Sequence, residues 1–182
     1  MEREDKERIN KECTMLMRGA GCKASVIKHC AAVAELALEL AVNRNCIEGS
    51  DKVDEQLVYT GALLHDLGRA RTHGVDHGVV GGEMAKELGL PENVVRILER
   101  HVGAGITADE AKTLGLPARD LMPETMEEKI VTDADNLISR ARRTSIEEAI
   151  ADLKRKLGAT HPTIIRAMAL HEEVMGNEYL GK

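Results

Sequence analysis

Four polar residues interrupt otherwise apolar helical faces in this chain: His29, the adjacent pair His65 and Asp66, and Asp133. His29 is followed by Val33, Leu36 and Leu40 at offsets of four, seven and eleven, so its ring belongs to an inward face. His65-Asp66 terminates the apolar run YTGALL, and Asp133 lies between Ile130 and Leu137 at offsets of three and four. An unpaired buried carboxylate is costly, and two in one core demand positive charge or several donors. Taken singly, each residue has a plainer account: a core histidine on a backbone carbonyl, or an aspartate that caps a helix or pairs with arginine. Taken together, two imidazoles and two carboxylates form a mixed N/O set for Zn, Mn or Fe. A cation at the carbonyl end of a helix also explains Asp66, which the helix dipole alone would disfavour there.

The elements that must hold these residues read as helices almost throughout, because the apolar positions recur at helical spacing and alternating β-branched runs are absent. The expected fold class is all-α, one domain over residues 1–182 with a motif core at 24–140 and C-terminal helices at 145–182 packing on it. A first helix covers about 3–18 and a second, with Ser25 near its start, about 24–42; NRNCIEGSDKVD follows as a polar loop. The third, about 53–67, ends at Gly68 as helices often do. A Gly- and His-rich loop at 68–78 leads to a fourth helix, about 77–88, and Pro91 opens a fifth that runs to His101. A short helix at 107–114 and the irregular GLPARDLMPET precede a helix from Glu124 or Thr125 to about 142. Ser145 and Glu148 form a capping-box pattern for 146–157, and Pro162 starts the last helix.

Composition narrows the classes. The chain has 182 residues, 43% of them hydrophobic, which suffices for one sizeable core. Phe and Trp are absent, so aliphatic residues, eight Met and two Tyr must fill it. A net charge of −6 argues against coating of nucleic acid and toward small-molecule partners, while leaving room for a local basic pocket. Cys13, Cys22, Cys30 and Cys46 form no CxxC pair, and no leader precedes them, so they read as reduced thiols of a cytoplasmic protein, with Cys13 and Cys30 in the core. No membrane span is expected. An apolar helix face could pair with a copy of itself, so a homodimer stays open.

The order His29, LLHDLG, then Asp133 within EEKIVTDADNL resembles the HD superfamily of metal-dependent phosphohydrolases, in its HDIG-type branch, and in particular small uncharacterised archaeal members. The resemblance covers most of residues 24–140. It implies an all-helical fold with one or two divalent ions, among Mn, Fe, Zn, Ni, Co and Mg, held between helices. His29, His65, Asp66 and Asp133 match the first metal site of that family. His77 and His101 match the extra histidines that hold a second metal in some branches, with Asp66 bridging. The glutamate or adjacent histidine of some two-metal branches is missing, since Val102 follows His101.

The resemblance further implies hydrolysis of a phosphomonoester or phosphodiester, of a nucleotide by preference, with Asp66 holding the metal and orienting the attacking water. Arg69 stands where relatives often carry lysine and is the candidate phosphate cation; Arg71 and Arg100 are weaker ones. His73 reads as supporting a ligand or facing substrate, the run Arg140, Arg142 and Arg143 as a charged helix end that could grip a nucleotide, and His161 and His171 as a cap and a packing residue. Two other classes compete. A minority of the superfamily are di-iron oxygenases, and a metal-stapled nucleotide-binding module without turnover would show the same ligands.

Overall fold

The protein is described from a computed structural model, which covers residues 1–47, 49 and 51–176. Glu48 and Ser50 of the expected polar loop, and residues 177–182 of the expected C-terminal packing segment, lie outside the described residues. Nine α-helices are present among the described residues: α1 Arg3–Gly19, α2 Ala24–Cys46, α3 Glu55–Leu64, α4 His77–Glu87, α5 Glu92–Arg100, α6 Ala108–Thr113, α7 Met126–Asn136, α8 Ile146–Leu157 and α9 Pro162–Met175. The all-α expectation holds, with one exception: a two-stranded hairpin, β1 Ile138–Ser139 and β2 Arg142–Arg143. No described helix is long and apolar enough to cross a membrane.

The main core draws on Ile9 and Met17 of α1, Val33 and Leu40 of α2, Val58 and Leu64 of α3, Ile97 of α5, Ile130 of α7 and Val174 of α9. Without Phe or Trp, Tyr59 is the largest fully buried side chain. Each fully buried aliphatic side chain contributes about 1.5–3 kcal/mol, so the fold rests on many small terms. Small residues let helices close up. On α4, a Cβ at Gly82 would come within 2.3 Å of Glu99 Cγ on α5, so any larger residue would displace the buried Glu99 side chain. Cys13, Cys22 and Cys30 are buried free thiols and Cys46 is exposed and free.

Local chemistry sets most boundaries. Asp54 caps α3 by accepting from the Gln56 and Leu57 amides. Thr125 and Ser145 cap α7 and α8 in the same way, and Pro162 occupies the first turn of α9 behind His161, whose ring accepts from the Thr163 amide. Thr107 and Glu110 form a complete capping box at α6.

Three expectations need correction. Helix α2 continues to Cys46, four residues into the expected loop. Helix α3 ends at Leu64, and a separate 3-10 helix covers Leu67–Ala70. Gly68 therefore does not terminate α3; it permits a close backbone approach described below. Helix α7 stops at Asn136, six residues short of the expected end. Nothing local stops it, since Arg and Ala favour helix. The stop is tertiary: Asn136 Nδ2 donates to the Gly103 carbonyl at 2.6 Å, and the chain then turns through Arg140 at φ +63°, a conformation that costs a side-chain-bearing residue about 1–2 kcal/mol.

Candidate metal centre

Helix α7 runs through the middle of the fold, packed by α2, α3, α5 and α9, and its residues from Ile130 to Ala134 are all buried. Ligands on such a helix can point in any direction and still be inside. His29 comes from α2, His65 and Asp66 from the C-terminal end of α3, His77 from the first position of α4, and His101 from the end of α5. The structure brings these five together with Asp135 of α7, which the sequence reading missed. Donor atoms within 4.8 Å of one another form three overlapping groups: His29, His65 and Asp66; His65, His101 and Asp135; and Asp66, His77 and His101.

Asp133, expected as the fourth ligand, lies elsewhere. Its carboxylate is buried and accepts from His171 Nδ1 of α9 at 2.9 Å, so the two residues explain each other. Asp135, two positions later and hence on the opposite side of α7, reaches His29 Nε2 at 2.9 Å and His65 Nε2 at 3.4 Å. The apolar-stripe argument selected Asp133 because it sits at the stripe's centre. Asp135 instead sits where the core opens, on the lining of a cavity of about 1200 Å³. The sequence carried that signal only as a second aspartate in TDADNL.

The rings share one device. Nδ1 of His65, His77 and His101 lies 2.8 Å from the carbonyls of Ala62, Gly74 and Leu98, each three residues earlier, and His29 Nδ1 lies 2.8 Å from the Arg140 carbonyl. A carbonyl only accepts, so each Nδ1 carries the proton and each ring, when neutral, presents an Nε2 lone pair to the cluster. These lone pairs then meet other acceptors. His77 Nε2 and His101 Nε2 are 3.0 Å apart, His29 Nε2 faces Asp135 Oδ1, and the wholly buried His65 Nε2 has no hydrogen-bond partner. Acceptors converging on acceptors require protons or cations among them, and imidazole with carboxylate is a donor set that fits a divalent first-row ion.

The titrations follow this crowding. Burial pushes the His101 ring down, helped by His65 and His77, to about 3. Burial and then Arg69 depress His77. Burial opposes charge on His65 as well, yet Cys30, Asp135 and Asp66 together lift it well above the ordinary histidine value. Burial works against ionised Asp135, but His65 and then His29 hold its carboxyl well below the usual range. Burial likewise opposes ionised Asp66, and His65 and His101 hold its carboxyl down. The carboxylates of Asp66 and Asp135 thus favour positive charge beside His65.

Asp66 sits in the sparsely populated bridge region, φ −93° and ψ 19°, and splits its oxygens. Oδ2 faces His65 at 3.9 Å, while Oδ1 faces His77 at 3.3 Å and His101 at 3.8 Å. Arg69 Nε donates to Oδ1 at 3.0 Å and its Nη1 to the His73 carbonyl at 2.9 Å, and the guanidinium lines the cavity. The His73 ring meets Lys23 Nζ at 3.4 Å and is not part of the cluster. Arg71 pairs with Glu87, and Arg100 with Glu124 and Glu128; neither lines the cavity. His161, expected as a cap, caps α9, whereas His171 does more than pack.

Gly68 completes the arrangement. A Cβ there would lie 2.0 Å from the His77 carbonyl and 2.7 Å from the Gly81 amide, so its absence lets the 3-10 helix rest on the first turn of α4 and sets the position of His77.

Comparison with known proteins matches residues 26–140 to the HD domain. An uncharacterized protein of Methanocaldococcus jannaschii is 49% identical over 154 residues, 84% of this chain and 89% of that one. A tRNA (cytidine(56)-2'-O)-methyltransferase of Picrophilus torridus is 40% identical over 163 residues, 90% of this chain but 45% of its own length. A Ribonuclease Y of Acidothermus cellulolyticus is 33% identical over 137 residues, 72% of this chain and 23% of its own. Among solved structures, the HD domain of the Listeria monocytogenes phosphodiesterase PgpH, in complex with cyclic-di-AMP, superposes with a TM-score of 0.50 at 17% identity, over 83% of this chain and 89% of that one, a likeness of fold.

Proposed function

The chain belongs to the HD-domain family, and on that premise we propose that it is a metal-dependent phosphohydrolase that cleaves a phosphomonoester or phosphodiester of a nucleotide. The observation that carries this reading is the convergence of His29, His65, Asp66, His77, His101 and Asp135, with four ring Nε2 atoms lacking donors to meet, behind a cavity that His29, His77 and Asp135 line. His29, His65, Asp66 and Asp135 would hold a first divalent ion. His77 and His101, with the other oxygen of Asp66, would hold a second. A divalent ion bound there supplies Lewis acidity toward the phosphoryl oxygens and lowers the pKa of a water.

The chain's own residues do the rest. The backbone carbonyls keep protons on Nδ1, so the Nε2 lone pairs stay aimed inward. Arg69 fixes the Asp66 carboxylate and places a permanent cation beside it for a phosphate oxygen. The kinship with Ribonuclease Y over 72% of this chain supports a phosphoester as substrate. The methyltransferase relatives are more than twice the length of the matched segment, so their name bears on a larger protein.

Elemental analysis of protein purified without chelator, alongside phosphate release from a nucleotide panel, tests the reading. One or two metal equivalents, lost together with release in Asp66→Ala, are expected. Folded wild type that takes up no Mn, Zn or Fe would sink it. Oxygen uptake by the iron-loaded protein without phosphate release would favour the oxygenase.

A further inference from the structure

The arginines of the hairpin go to different places. Arg143 reaches Glu39 at 2.9 Å, and Arg142 pairs with Glu148 at 3.2 Å. Arg140 lines the cavity and pairs with no carboxylate among the described residues. Other cations on the wall each touch an acid: Arg69 meets Asp66, Arg166 meets Glu110, and Arg155 and Lys156 share Asp152.

Arg140 is also the one non-glycine residue with positive φ among the described residues, at the first central position of a two-residue hairpin turn. Glycine is the usual occupant where positive φ is needed there. The turn directs the Arg140 carbonyl to His29 Nδ1, a task for which the side chain is irrelevant. A long cation at a position that favours glycine, on the lining of a cavity and without an acid, calls for a use of the side chain.

The cavity, about 1200 Å³, exceeds the roughly 300–1,000 Å³ of ordinary small-molecule sites. Arg69 stands inside the ligand cluster, beside Asp66, whereas Arg140 stands outside it on the same wall. We propose that Arg140 grips a second, non-scissile phosphate, so that the substrate is a nucleotide carrying at least two phosphates, such as a dinucleotide or a nucleoside bisphosphate. The planar guanidinium fork suits two phosphate oxygens at once. This rests on the phosphohydrolase reading for the scissile phosphate.

The test compares adenosine 3',5'-bisphosphate with adenosine 5'-monophosphate by titration calorimetry of the metal-loaded protein, with the ligand recovered afterwards and assayed for phosphate release, which separates binding from turnover. Wild type is expected to bind the bisphosphate at least tenfold tighter. Arg140→Ala and Arg140→Gly should both lose that preference, and Arg140→Lys should keep part of it. Arg140→Gly suits the backbone and should unfold no earlier than wild type, which guards against misfolding as the cause. Equal affinity of wild type for the two probes, binding of neither, or a preference that survives both deletions overturns the proposal. A preference present without phosphate release from the metal-loaded protein would keep the two-phosphate site and fail the hydrolase reading.

Discussion

His77 and His101 bring their Nε2 atoms to 3.0 Å although both rings spend their Nδ1 protons on backbone carbonyls. Two neutral imidazoles so arranged present lone pair to lone pair, which a cation between or beside them relieves. If they form the second site, His101→Ala should lower metal content by one equivalent. The ion held by His29, His65 and Asp135 should stay. Elemental analysis of variant beside wild type reads this; loss of all metal would mean a single shared site.

Asp135 and Asp133 make opposite predictions. Asp135→Asn should weaken metal binding more than tenfold while leaving the chain folded. Asp133→Asn should retain the metal yet cost about 1–3 kcal/mol in denaturant unfolding, because a partly solvated His171 loses its charged partner. The reverse pattern would restore Asp133 as the ligand.

The Asp133–His171 pair also carries a pH signature. The bond His171 donates to Asp133, then Asp133's charge, with Glu147 of α8 and Glu172 of α9 adding to it against partial burial, raises His171 above its ordinary 6.5. A raised histidine contributes stability fully below its unfolded value and loses it as pH climbs through the folded one. The thermal-midpoint gap between wild type and His171→Gln should therefore be widest below about pH 6.5 and narrow at higher pH. A gap that is flat, or that widens with pH, would contradict the pairing.

Gly68→Ala should destabilise by about 2–3 kcal/mol, because its Cβ would meet backbone rather than a flexible side chain. The strain falls on the first turn of α4, so loss of the His77-dependent metal equivalent should accompany it. A stable variant with full metal content would show that the 3-10 helix can shift without cost.

Much of this was legible in the sequence for identifiable reasons. His29, His65 and Asp66 sit at breaks in strong apolar patterns, and helix starts at Thr125, Ser145 and Pro162 follow from short-range capping chemistry. What stayed hidden depends on contacts between distant segments. Which of Asp135 and Asp133 faces the clustered histidines turns on which neighbours surround a helix packed from several sides, and the end of α7 on a carbonyl at Gly103, 33 residues away. The role of Gly68 could not be read from its φ preference, because it is a question of clearance against α4.

The carbonyl contacts of the histidine rings differ in span, and the difference has a consequence for how the centre comes into being. His65, His77 and His101 each lean on a residue three places back, so a short stretch of helix or turn suffices to preset their rings. His29 leans on Arg140, 111 residues away, a contact that exists only once the chain has closed on itself. Three of the rings are thus portable modules, each a fragment that could be moved to another helix end with its aim intact, while the fourth works as a latch whose setting certifies that assembly is complete.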